Sequence, residues 1–90
     1  MPYVYLLLSL KDQKQYIGST INLDKRISLH NQGQVTSTKY RRPLILKGYQ
    51  EFKTINEAAI YEKKYKRSHD ALSRAIKRGD FVIISKSNSE

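Results

Sequence analysis

Few side chains in this 90-residue chain can move protons or hold a metal ion: two histidines, eight Asp and Glu, and seven tyrosines, with no cysteine. The lack of cysteine excludes disulfides, thiolate zinc sites and a cysteine nucleophile. Any metal would therefore be oxygen-bound and hard, such as magnesium or manganese. No Ser-His-acid arrangement, glycine-rich phosphate loop or paired-carboxylate motif is present. Attention falls on the tyrosines, of which Tyr3, Tyr5 and Tyr16 lie near the start of the chain. Most tyrosines serve packing with a polar tip. A phenol ordinarily titrates near pH 10, yet a neighbouring cation and a hydrogen-bond partner ease its deprotonation and let it accept a proton from water.

Two helical faces carry polar groups where apolar ones are expected. Placed at about 100° per residue, Leu23, Arg26, Ile27 and His30 share one face, so two basic groups sit on a core-facing stripe. Further on, Ala58, Tyr61, Glu62 and Tyr65 share a face, while Lys63, Lys64 and Arg67 fall off it and Ile60 points outward. A carboxylate drawn toward an interior needs a cation or several donors. Helix geometry leaves two readings of Glu62 open: a structural salt bridge, for instance to Arg26, or a metal ligand.

These residues must be positioned by recognisable elements. Tyr3-Val4-Tyr5-Leu6-Leu7-Leu8 is apolar on both parities, as in a central strand covered on both faces. Lys11 to Lys14 form a turn, and Gln15-Tyr16-Ile17-Gly18 resumes an extended segment, a hairpin that makes Tyr5 and Tyr16 neighbours. Asn22 is the expected N-cap of a helix through about His30, with Asp24 in its first turn and Gly33 marking its end. Gln32 to Arg42 form a basic loop without periodicity, ahead of Pro43, which favours an extended Arg42. A strand follows over Leu44–Phe52, with Gly48 suggesting a bulge. Thr54 or Asn56 caps a helix to about Lys66, and Asp70 begins another ending near Gly79. Phe81 to Ile84 can dock back as a short strand or extended segment, and residues 85–90 are expected to fray. The order favours an α+β domain over residues 1–84, a small antiparallel sheet flanked by helices.

Seventeen Lys and Arg against eight acids give a net charge of +9 and a pI near 9.9, so polyanions, nucleic acid above all, are the natural partners. Ninety residues allow one domain with a single compact core. The longest apolar run falls far short of the ~20 residues a membrane span needs, and no signal-like segment is present. A soluble cytoplasmic protein is expected.

The motifs resemble a known family. Tyr3-Val4-Tyr5, followed after ten intervening residues by Tyr16-Ile17-Gly18, resembles the paired motif of the GIY-YIG nuclease superfamily, most closely its small single-domain members. Arg26 stands ten residues after Tyr16, where the family has an arginine, and His30 one turn later, where some members have a histidine. Glu57-Ala58 followed by Glu62 matches the family's metal-binding glutamate. The likeness spans about residues 2 to 78. The chain departs from the pattern at Tyr3 and Val4, at Ser19 in place of a lysine that certain repair members carry, and at Arg74 in place of an asparagine.

The resemblance implies a three-stranded antiparallel sheet with helices around it, and a site on its concave face that hydrolyses DNA phosphodiesters. Glu62 would hold Mg2+ or Mn2+, Arg26 would stabilise the scissile phosphate, and Tyr16 would deprotonate or orient water. His30 would accept or relay that proton, and Tyr5 would fix the arrangement. Lys39, Arg41, Arg42, Lys63, Lys64 and Arg67 become candidates for phosphate contacts. The implied role is repair or processing of DNA chosen by structure more than by sequence, with a protein partner as one source of specificity. A non-catalytic nucleic-acid-binding module and a structural protein are the competing readings.

Overall fold

The computed structural model describes residues 1–84; the expected frayed tail, residues 85–90, lies outside the described residues. The order of elements is β1 (Tyr3–Ser9), β2 (Gln15–Thr20), α1 (Leu23–Asn31), β3 (Leu44–Glu51), α2 (Ile55–Arg67), α3 (His69–Arg78) and β4 (Val82–Ile83). The strands form one antiparallel sheet in the order β2-β1-β3-β4. The sheet thus has four strands where three are expected. β4 is only two residues long, and both of its residues are exposed, so no alternation of apolar and polar positions announces it. Its closeness to β3 depends on Gly48, where a Cβ would meet the Val82 carbonyl oxygen at 2.9 Å. The bulge sits beside that glycine: Leu6 pairs with Gly48 and Leu7 with Leu46, leaving Lys47 as the extra residue.

β1 is interior to the sheet because both of its faces are apolar. Val4 and Leu6 pack with α2 and α3 through Phe52, Ala58, Tyr65, Leu72 and Phe81, whereas Tyr5 and Leu7 pack on the other face with Leu44, Leu23 and Ile27. The result is a layer of α1, the sheet, and a layer of α2 and α3. Thr54 is the cap of α2, its side chain accepting from Glu57 N. α3 starts one residue before the expected Asp70, because the Ser68 hydroxyl accepts from Ala71 N and so closes the first turn.

α1 is held differently. A nine-residue helix is too short to persist alone, and its only fully buried residue is His30. The Asn22 side chain caps its start by accepting from Lys25 N. Its end is tied to β3 by Asn31, whose Nδ2 donates to Leu44 O while its Oδ1 accepts from Leu44 N, both at 2.9 Å. Polar contacts thus supply much of what places α1 against the sheet, and they place Arg26 and His30 with it.

Candidate active site

The two motif segments are adjacent strands, with Tyr5 opposite Gly18 and Leu7 opposite Tyr16. Gly18 is needed for space. A Cβ there would lie 2.6 Å from Tyr5 Cζ and closer still to the hydroxyl, so the Tyr5 phenol lies directly over the backbone of β2. That hydroxyl is 2.8 Å from His30 Nε2, and His30 Nδ1 is 2.7 Å from Thr38 Oγ1. Tyr5, His30 and Thr38 are each at most 1 % exposed, so all three form a closed polar chain between the sheet, α1 and the loop.

Burial first, and the Arg26 guanidinium second, push the His30 imidazole down to about pH 4. The ring is therefore neutral at pH 7. The Thr38 hydroxyl also reaches Val35 O, and donating there leaves its oxygen to accept from Nδ1–H. Nε2 is then the acceptor for the Tyr5 hydroxyl. Burial, reinforced by the nearby Tyr16 and Glu62 and opposed by Arg26, raises the Tyr5 phenol well above its usual range. Tyr5 keeps its proton.

Tyr16 is the more accessible phenol. Its ring meets the His30 ring edge-on at 5.1 Å and lies 6.3 Å from the Tyr5 ring, and its hydroxyl accepts from Ser37 Oγ at 3.4 Å. The expectation that His30 takes a proton from Tyr16 does not match this geometry, because both imidazole nitrogens are engaged by Tyr5 and Thr38.

Glu62 approaches from the opposite layer. β2 is an edge strand whose Tyr16 and Gly18 face α1 while Ile17 and Ser19 face α2, as their two core clusters require. The Ser19 hydroxyl donates to Glu62 Oε1 at 2.5 Å, and Lys66 Nζ pairs with Oε2 at 2.8 Å. The cation beside Glu62 is thus Lys66, one turn along the same helix, and not Arg26. Lys66 Nζ also lies 5.8 Å from the centre of the Tyr16 ring. The candidate residues wrap around the free edge of β2, in place of the expected location on one concave face. Glu62 and Arg26 are close enough that both charges bear on Tyr5.

Two groups of cations surround this edge differently. Arg41 is half-buried, with Nε 2.7 Å from Asp12 Oδ2 and its Nη2 on the carbonyls of Lys14 and Gln15. That guanidinium, with the Lys14 backbone N–H, holds Asp12 down at about pH 2. Arg41 ties the loop to the hairpin, whereas Arg42 is exposed with its Nε on Lys39 O. Lys63, Lys64 and Arg67 are exposed on α2, roughly 100–200° around the helix from Glu62. They face away from the edge where Glu62 lies.

Thr38 and Lys66 carry parts of this site that the sequence does not single out, and Ser19, noted there only as a departure from the family pattern, holds Glu62. Ser19 has a readable signal, the alternation that puts it on the face of β2 opposite Tyr16. Lys66 has the i,i+4 spacing from Glu62. Thr38 has none, since its burial arises only when the loop closes over α1.

A family model described as the GIY-YIG catalytic domain matches residues 1–76. The chain belongs to the GIY-YIG family. It is similar to the UPF0213 protein in the ldhD 5' region of Pediococcus acidilactici, with 34 % identity over 92 % of this chain and 88 % of that one. The UPF0213 protein YazA of Bacillus subtilis is 34 % identical over 98 % of this chain and 84 % of its own. A UPF0213 protein of Clostridium perfringens is 40 % identical over 74 % and 72 %. No solved structure matches the chain. Of the residues that the resemblance points to, Tyr5, Tyr16 and His30 pack together on the α1 side of the sheet, and Glu62 meets Ser19 on the α2 side of β2. Among the described residues, no helix is long and apolar enough to cross a membrane.

Proposed function

We propose that this chain is an endonuclease that hydrolyses DNA phosphodiesters with the help of a divalent cation, selecting DNA by structure more than by sequence, in repair or processing. What supports this reading is a phenol and a carboxylate on the two faces of an open strand edge, with the charges of Glu62 and Arg26 both bearing on Tyr5, in a chain of net charge +9.

The donor set fits a hard cation with one protein ligand. Among the described residues no three His, Cys, Asp or Glu cluster together, and Glu62 is a partly exposed carboxylate held at one oxygen by Ser19. Magnesium retains several waters and takes substrate phosphates as ligands, so a single carboxylate suffices to recruit it. When bound, such an ion neutralises charge on a phosphate oxygen and on the leaving 3′ oxygen.

The chain's own residues do the remainder. Arg26 binds the scissile phosphate through its donor fork and stabilises the charge that develops there. Tyr16 orients the attacking water and accepts its proton. Tyr5 and His30 hold the floor of the site. Half-buried Lys39 and exposed Arg42 contact flanking phosphates. Lys63, Lys64 and Arg67 add long-range attraction from the other side of α2.

A second reading, a binding module without turnover, is favoured by the pairing of Glu62 with Lys66. One assay separates them: incubation with branched, nicked, single-stranded and duplex DNA in Mg2+ or Mn2+. The nuclease reading expects cleavage that chelation stops and that varies more with DNA structure than with sequence. Salt-sensitive binding without metal-stimulated cleavage on every substrate would support the binding module.

A further inference from the structure

The Glu62 carboxylate is occupied at both oxygens, by the Ser19 hydroxyl and by the Lys66 ammonium. The two partners differ in kind. Ser19 is neutral, comes from β2 and leaves the negative charge in place, so it orients the group. Lys66 brings a full positive charge to the carboxylate that a cation would use. Its side chain is 51 % exposed against 23 % for Glu62, so the lysine is the partner free to swing.

Lys66 also has somewhere to go. Its ammonium already lies over the face of Tyr16, and a groove of about 630 Å³ opens beside it, lined among others by Lys14, Tyr16, Lys66 and His69. A nucleic-acid phosphate entering that groove would compete with Glu62 for the lysine.

We propose that Lys66 is a positioning residue that holds Glu62 as an ion pair and competes with the divalent cation for it, releasing the carboxylate when a phosphate draws the ammonium away. This rests on the assignment of Glu62 as the metal ligand. A purely structural i,i+4 pair would stabilise α2 slightly and leave metal affinity unchanged.

The test is Mn2+ binding to the full chain without nucleic acid, measured by calorimetry for wild type, Lys66→Met, Lys66→Arg and Glu62→Gln. Lys66→Met should bind Mn2+ about fivefold more tightly, the upper end of what a partly exposed ion pair is worth. Lys66→Arg, which keeps the charge, should stay near wild type, and Glu62→Gln should lose the site. Unchanged affinity in Lys66→Met, with loss in Glu62→Gln, would overturn the role of Lys66 alone. Equal Mn2+ binding by wild type and Glu62→Gln would overturn the assignment of Glu62 and this inference with it.

Discussion

The two phenols near His30 are unequal. Tyr5 is sealed between Gly18 and the imidazole, whereas Tyr16 keeps its hydroxyl toward the loop and the groove. A role in proton transfer requires the Tyr16 hydroxyl, and a packing role requires only its ring. Tyr16→Phe should therefore lower cleavage by at least about 10², the lower end of a general-base contribution, with little change in melting temperature. Near-native turnover would return Tyr16 to packing. His30 makes a separate prediction about stability. Its pKa falls from 6.5 unfolded to about 4 folded, so the unfolded chain binds more protons between these values. The stabilisation is complete above pH 6.5 and is lost as pH falls through that window. Asp12, lowered from 3.8 to about 2, loses its contribution only below pH 3.8. Melting temperature against pH should thus show a first decline between 6.5 and 4, and His30→Asn should flatten that part alone.

At the scale of elements, the edge of β2 brings the two layers together. Tyr16 and Gly18 present one face to α1, and Ser19 presents the other to α2, so the strand needs a glycine where the Tyr5 ring crosses it. Gly18→Ala forces that ring to move and should cost about 1–3 kcal/mol, the range for overpacking a tight core. A urea melt at pH 7 reads this cost; unchanged stability would mean that the Tyr5 ring has room to yield. Much of this arrangement was legible beforehand. The hairpin follows from two extended segments separated by the polar turn at Lys11 to Lys14, α1 from the Asn22 cap, and the inward faces of Arg26 and Glu62 from helical spacing. The layer each helix occupies was not legible, because helical periodicity tells which side of a helix is inward and not which face of a sheet it meets. For the same reason Glu62 was offered Arg26 as a partner, although Lys66 and Ser19 hold it. Thr38 lay in a polar loop with no period to mark it, and β4 was too short to carry one.

Across the whole molecule, the charge of +9 is unevenly committed. Arg41 is bound to Asp12 and to the hairpin carbonyls, while Arg42 is exposed. Four to six backbone contacts would give a slope of log K against log salt of about −4 to −5, at roughly −0.9 per contact on duplex DNA. Arg42→Ala should reduce the steepness by about one contact on all sequences alike, whereas Arg41→Ala should lower the melting temperature and alter the slope less. Titrations of unrelated duplexes at several salt concentrations check this. A salt-independent affinity would remove the backbone-contact account.

In the proposed function, Glu62 carries metal-dependent hydrolysis at the edge of β2. The most direct test of that role is the cleavage rate of purified Glu62→Gln in Mg2+ and in Mn2+, with circular dichroism and DNA affinity measured on the same sample. The substitution keeps the volume of the side chain and its ability to accept from Ser19, and removes the charge. Cleavage should be abolished while the fold and DNA binding are largely retained. Undiminished cleavage by a folded Glu62→Gln protein would contradict that role.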